Sequence, residues 1–418
     1  MTKAAFQPLS GEGDCEDGTS LPGWLYHDPA FYRLEVERLL RPAPQILCHV
    51  SDVPRPGDWR TLDYLGESLF AVRGKDGGVR AFANVCRHRG SRLLDGHAGC
   101  AARLTCPYHG WTYDLEGRLT GVPMRADYDR LDEAALGLVE FPVEIWHGFV
   151  FVALERGGPS VAAMMAPHEA EIAPYRFEEL HALGRVTHRR REVNWKAIAD
   201  NYSDGLHIQI AHPGLTRLFG RDYRVEAGEH VDRMSGRLVE RPSTALTERA
   251  YQAFLPPVPH LPDDGQRLWL YFKLWPNVAF DIYPDQVDFM QFLPLAPTAT
   301  LIREISYALP DGRREMRAAR YLNWRINRRV NEEDRLLVSR VQQGMGSPSY
   351  KPGPLGRSEV CLRSFAGKLR RLIPEARLEC PPPPGGGARE LTARMATRTT
   401  SPIASSTIPQ RLASAPDP

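Results

Sequence analysis

Two histidines five residues apart, His207 and His212, stand within the stretch from Asn194 to Leu215, behind a helical pattern that carries Asp200 and Asp204 on the same face as His207. Imidazoles beside carboxylates are metal-ligand chemistry. On an unbroken helix, positions five apart point about 140° from one another, so both rings reach one ion only where the helix breaks, and Pro213 supplies a stop. Two imidazoles and one carboxylate from elsewhere make the facial triad of a non-heme Fe(II) oxygenase, with positions left open for dioxygen and substrate. The same spacing also arises from two unrelated histidines at a helix end, so the carboxylate has to be found.

A helical pattern between Gly312 and Met345 offers it. Leu322, Ile326 and Val330 recur every four residues, Leu337 and Val341 extend the stripe, and Asp334 falls on it. An ionisable group on a buried helix face is costly unless it is paired or binds a metal. The residues three and four positions away are Val330, Asn331, Leu337 and Val338, none of them basic. Glu332 and Glu333 rotate toward the polar face near Arg328 and Arg329. Periodicity therefore selects Asp334 as the third iron ligand.

A second constellation lies a hundred residues earlier, where Cys86-Arg-His88 and Cys106-Pro-Tyr-His109 each pair a thiolate with an imidazole, 17 residues apart. Two cysteines on one iron and two histidines on the other is the ligand set of a Rieske [2Fe-2S] centre. The competing reading is a structural zinc, for which a cysteine pair followed by a histidine pair is the usual order. Cys100, between the two pairs, reads as a small buried apolar side chain, and His49, His97 and His147 as structural histidines outside the ligand loops.

Cys86-x-His-Arg-Gly, Cys106-Pro-Tyr-His-Gly-Trp, Asn194-Trp-Lys through His212-Pro-Gly-Leu, Asn331-Glu-Glu-Asp-Arg and Gln342-Gln-Gly together resemble the alpha subunits of Rieske non-heme iron ring-hydroxylating oxygenases, over about residues 45 to 375. The resemblance implies an α+β chain: an N-terminal Rieske β domain holding the [2Fe-2S] cluster, and a helix-grip (START-like) catalytic domain with an antiparallel sheet and long helices. It implies [2Fe-2S] ligation by Cys86, His88, Cys106 and His109, mononuclear Fe(II) held by His207, His212 and Asp334, and electrons from NAD(P)H through a separate reductase or ferredoxin. It also implies a homotrimeric ring in which the cluster of one subunit serves the iron of its neighbour, with Asp204 bridging His207 to the neighbour's His109.

The bounds agree with such a chain. Its 418 residues allow two or three domains, and 53 basic against 51 acidic residues give no sign of a nucleic-acid partner. Seven cysteines, an odd number with two in the cluster motifs, do not make a disulfide framework, which fits a cytoplasmic setting. The N-terminus lacks a signal-like apolar segment, and no run of eighteen apolar residues suggests a membrane span. Expected units are a packing segment at 1–44, the Rieske domain at 45–157, the catalytic domain at 158–378, and a disordered Pro/Gly/Ser-rich tail at 379–418.

Alternating runs at 46–50, 62–65, 69–73 and 79–85, with the turn at Lys75-Asp-Gly-Gly, predict a small antiparallel domain that presents the Cys86 loop at the end of a strand. Tyr108 and Trp111 are expected to shield the cluster. Residues 22 to 41 predict a turn and a short helix, Glu169 to Leu180 a helix, Arg185 to Val193 a strand, and Leu268 to Leu309 several strands.

The substrate is less legible. Trp269, Tyr271, Phe272, Trp275, Phe280, Tyr283 and Phe289 would roof the iron site, suiting a flat aromatic ring or an aromatic cage for a quaternary ammonium group. The leading expectation is a terminal oxygenase that uses O2 to hydroxylate an aromatic ring or a similar small organic molecule, in aromatic compound catabolism. The segment Gln342 to Pro354 resembles relatives that demethylate betaines, so the alternative is an oxidative N-demethylase or monooxygenase of a quaternary ammonium compound. A remote alternative is a non-catalytic Rieske redox protein.

Overall fold

The computed structural model describes residues 18–382 of the chain. The N-terminal leader and nearly all of the tail expected from 379 onward lie outside the described residues. Residues 45–152 form small antiparallel sheets. Strands 58–64, 67–73 and 79–83 pair in sequence, with 98–100 and 140–141 at the edges, and 104–105, 112–113 and 119–121 make a three-stranded ribbon. A further sheet joins 45–49 to 149–152 and 143–146. Its inner face meets the second domain, where the buried Arg303 guanidinium donates to the carbonyl oxygens of Ile46 and Leu47 at 2.9 and 2.7 Å. Buried donors of this kind, paired with strand carbonyls, fix one domain on the other.

The second domain is a strongly antiparallel sheet of eight strands. From one edge the order is 181–182 and 187–191, then 299–308, 287–296, 278–282, 268–274, 231–237 and 223–226. Side chains alternate between its faces. Phe272, Phe280, Phe289 and Ile305 stand opposite one another on successive strands and pack into a core with Phe149. One residue earlier on 268–274 and one step along each neighbour, the row Tyr271, Asp281, Asp288 and Ser306 faces the other way.

The 32-residue helix Arg314–Met345 crosses the second face of the sheet. Its buried residues are Met316, Ala319, Asn323, Ile326, Val338 and Gln342, a 3.6-residue rhythm into which Val330 and Asp334 fit. Leu337 is only half-buried and Val341 is exposed, so the buried face is centred slightly off the stripe read from the apolar residues alone, on a line that includes polar Asn323 and Gln342.

Residues 23–40 pack against the catalytic domain as well as the Rieske domain. Glu35 and Lys196, both fully buried, meet at 2.7 Å, and the Tyr26 hydroxyl donates to Asp200 at 2.7 Å. Asp200 is thereby drawn away from the iron-site face on which the helical wheel placed it. The helix expected over Glu169–Leu180 is broken: it runs only from Glu169 to Ile172, because Pro174 cannot continue the ladder, and two single turns follow. Cys100 is exposed on an edge strand rather than buried. His49 is buried and bonded to Ser51 and the Phe177 carbonyl, and His147 lies between Glu169 and Glu178.

Candidate metal centres

The two Cys-His loops are built alike. In each, the cysteine N–H donates to a carbonyl five residues on, Cys86 to Ser91 and Cys106 to Trp111, both at 2.8 Å. The cysteine carbonyl in turn accepts from Gly90 or Gly110 at 3.0 Å. Those glycines have φ of +76° and +73°, a turn that a Cβ would strain, which explains the glycine at the same place after each cysteine. The folding of each loop brings its cysteine inside and its histidine to the rim. Cys86 and Cys106 are buried, and His88 and His109 are half-buried with ring centroids 4.6 Å apart.

The loops fit a cluster. His88 Nδ1 is buried with no hydrogen-bond partner, an orphan that a metal satisfies. Burial pushes the Cys86 thiol up, while burial of Cys106 is outweighed by backbone N–H groups of Tyr108 and His109 that bring its pKa below the ordinary thiol value. Sequence reasoning did not single out Tyr113, whose hydroxyl lies 3.5 Å from Cys86 Sγ and accepts from the Arg87 N–H at 3.0 Å. Trp111 is buried and stacks on His88 at 4.8 Å with planes 9° apart, as a shield should. Tyr108 does not shield: it is 60% exposed, beside His109 on the outer surface.

The second centre forms where the helix Trp195–Ser203 stops. Asp204 leaves the helical region with ψ 122°, and Gly205 and Leu206 turn the chain before the single turn Ile208–Ala211. His212 is again non-helical at φ −116°, ψ 75°, and Pro213 starts the next helix. The break expected between the histidines is not there: Ile208–Ala211 is a helical turn, and the chain instead leaves the helix at Asp204, before the pair, and at His212 itself, so His207 is not on the helix that carries Asp200.

This path brings the two rings together. His207 Nε2 lies 3.1 Å from His212 Nε2, and Asp334 Oδ1 lies 3.5 and 3.0 Å from them. Among the described residues these three side chains form the cluster able to hold an ion, their donor atoms all within 4.8 Å of one another. Asp334 Oδ1 is buried, and despite those short separations it makes no hydrogen bond of acceptable angle. Three donor atoms converging on one point fit a cation, which would take the place of the proton shared between the His207 and His212 rings.

The outer nitrogens are also held. Asp204 Oδ2 is 3.0 Å from His207 Nδ1, and its Oδ1 accepts the Leu206 N–H at 2.8 Å. Glu333 Oε2 is 2.9 Å from His212 Nδ1. Helix phase had placed Glu333 on the polar face. It does meet Arg329 there, but its length carries one oxygen round to the buried imidazole, a contact that only the neighbouring chain segment reveals. Burial disfavours a charged His207, yet Asp204 and Asp334 raise its pKa to about 9. Burial acts against Asp334 too, and the two histidines hold it down to about 2. Asn201 was also missed; its Nδ2 is 3.3 Å from His207 Nε2.

A cavity of about 440 Å³ opens from these three residues between the sheet and the long helix. Tyr202, Tyr223 and Tyr271 are among its walls, with Met290 and Phe292 and the carboxylates Asp281 and Asp288. Of the strand aromatics expected as a roof, Tyr271 alone lines it. Phe272, Phe280 and Phe289 face the opposite core by strand alternation, Trp269 and Tyr283 pack under Tyr251, and Trp275 lies against Phe365.

A chain with a thiolate-imidazole pocket in one domain and a His-His-carboxylate pocket in the other is an iron-dependent oxidoreductase of the Rieske type. Residues 43–141 match the Rieske [2Fe-2S] domain, and residues 177–375 the catalytic domain of the ring-hydroxylating alpha subunit. The chain belongs to the Rieske non-heme iron oxygenases. Its cofactors are accordingly a Rieske [2Fe-2S] cluster and a mononuclear iron, and its co-reactants are a small molecule, O2 and a separate electron donor.

The glycine betaine monooxygenase oxygenase subunit of Chromohalobacter salexigens is 28% identical over 401 residues, covering 85% of this chain and 88% of that one. The chloroplastic choline monooxygenase of Spinacia oleracea is 27% identical over 364 residues, 84% of this chain and 78% of the other. A solved quaternary ammonium Rieske monooxygenase superposes with a TM-score of 0.74 at 24% identity over 88% of this chain and all of that one, a likeness of fold. No helix among the described residues is long and apolar enough to cross a membrane.

Proposed function

We propose that this chain is the terminal oxygenase of a monooxygenase system whose substrate is a small quaternary ammonium compound, hydroxylated at a carbon–hydrogen bond beside the nitrogen. Cys86, His88, Cys106 and His109 hold the [2Fe-2S] cluster, and His207, His212 and Asp334 hold the mononuclear iron. With O2, two electrons and two protons, C–H becomes C–OH and one water is released; on an N-methyl group the product loses formaldehyde. Bound iron supplies the dioxygen activation and the cluster supplies single electrons.

The chain's own residues do the rest. Asp204 and Glu333 orient the two imidazoles from behind, so that each ring presents Nε2 to the ion. The half-buried His109 and the exposed Tyr108 give the cluster a histidine edge at the molecular surface. That edge suits donation to a neighbouring subunit in a head-to-tail ring of three, with Asp204 as the bridge.

The observation that carries the substrate class is the cavity: Tyr202, Tyr223 and Tyr271 converge beside the iron ligands, and tyrosine faces attract an ammonium group. The betaine and choline relatives support the same choice over an aromatic ring. The reading is tested by supplying the reconstituted protein with a reductase and NADH, then a panel of betaines, choline and aromatic acids. Formaldehyde or hydroxylated product from the quaternary amines is expected. Turnover of the aromatic acids alone would instead establish ring hydroxylation.

A further inference from the structure

Asp281 and Asp288 face each other directly across neighbouring antiparallel strands, in the row Tyr271, Asp281, Asp288, Ser306 that looks into the cavity. Like charges placed directly opposite destabilise a sheet, and more so out of water. Among the described residues neither pairs with a lysine, arginine or histidine. Asp281 accepts from the Tyr202 hydroxyl and from Tyr283 at 3.4 Å, and Asp288 from Gln286 Nε2 at 2.9 Å, all neutral donors. The nearby Glu304 differs, for Arg189 neutralises it. The cavity wall thus carries two opposed carboxyl groups that make no direct ion pair among the described residues, although Arg189, Arg191, Arg328 and Arg335 line other parts of the same cavity.

Tyr202 ties this pair to the iron site. It belongs to the helix that ends at Asp204, next to Asn201 on His207, and its hydroxyl bonds Asp281. Tyr271 neighbours Asp281 on the next strand, and its ring lies 6.2 Å from that of Tyr223. A trimethylated nitrogen has no N–H to donate, so it can be recognised only by ring faces and by carboxyl groups that can ionise against it, and this wall offers both.

We propose that Asp281 and Asp288 are the residues that make the cavity select a cationic head group over a neutral one of the same shape. This rests on the reading that the substrate occupies the cavity beside His207, His212 and Asp334. The pair determines specificity and is not part of the oxygen chemistry.

Choline and 3,3-dimethylbutan-1-ol test it, since they have the same shape and differ by the charge on the central atom. Binding of each to the iron-loaded protein is measured by calorimetry for the wild type, Asp281→Asn and Asp288→Asn, with the cluster spectrum and thermal midpoint as controls for folding. The wild type is expected to prefer choline, each variant to lose about tenfold or more of that preference, and the neutral alcohol to bind the variants at least as well. Two variants are used so that failure of one to fold leaves the other decisive. A wild type that prefers choline, with variants that keep the preference, overturns the role of this pair and leaves the proposed substrate class standing. A wild type with no preference for the cation overturns both.

Discussion

Glu333 reaches His212 from one side while Arg329 holds it from the other: Oε2 is 2.9 Å from the imidazole Nδ1, and Oε1 accepts from Arg329 Nε at 2.7 Å. Adjacent residues on one helix thus address the same histidine by different nitrogens, Asp334 toward Nε2 and Glu333 toward Nδ1. Glu333→Ala should therefore not behave as wild type, which is what helix phase alone suggests. An expected weakening of iron affinity by about 10 to 100-fold follows from loss of the orienting carboxylate. Iron content after dialysis against graded chelator measures it; Arg329→Ala should show a smaller change in the same direction.

The two proposed ligand sets lie in different domains, so they should fail separately. His207→Ala, His212→Ala and Asp334→Ala are each expected to lose mononuclear iron and product formation while keeping the visible spectrum of the cluster. Cys86→Ala and His109→Ala should lose that spectrum and still bind iron at the other centre. Metal analysis with absorption spectra decides it, and a Cys86→Ala protein with an intact cluster spectrum would refute the assignment.

Asp204→Asn tests the proposed electron-transfer bridge. The side-chain oxygen that accepts the Leu206 N–H at 2.8 Å is retained by the amide, so the turn after the helix should survive. What is lost is the charge 3.0 Å from His207 Nδ1. Both metals should remain and the reductase should still reduce the cluster, but reoxidation by dioxygen with substrate present should become slow. Single-turnover kinetics at the wild-type rate would return Asp204 to a purely structural turn residue.

The pair in the cavity predicts a pH dependence with a definite sign. Burial pushes Asp281 up to about 7 and Asp288 well above the usual carboxylate range, the latter with help from Asp281. A carboxyl whose folded pKa is raised above its unfolded value near 4 contributes stability that is fully present below that value and lost as pH rises through the folded pKa. Between about pH 4 and pH 7 the thermal midpoint of the wild type should therefore fall relative to that of Asp281→Asn. Parallel midpoint curves for the two proteins across that window would contradict it. Added choline should raise the wild-type midpoint most at the upper end of the window, where Asp281 begins to ionise.

The residues proposed as ligands of both centres stand out in the sequence because they are encoded locally. Cys86, His88, Cys106 and His109 lie in two five-residue loops closed by glycines, and the alternation of the strands behind them is a two-residue rhythm visible in any window. Asp334 was legible for the same reason, since a helix of 32 residues fixes the phase of every side chain on it. Pro213 marked the end of the turn that joins His207 to His212 and the start of the next helix. The secondary contacts and the cavity were decided otherwise. Whether Glu333 meets solvent or His212 depends on a segment 121 residues away, and Asp200 belongs to Tyr26 across 174 residues. Which strand aromatics line the cavity depends on which face of the sheet the long helix covers: alternation separates Tyr271 from Phe272, and only packing names the inner face. The carboxylates Asp281 and Asp288 are seven residues apart in the chain and look unremarkable there. Register across a hairpin sets them opposite each other, and among the described residues neither makes an ion pair, a property of everything packed around them that no local window of sequence shows.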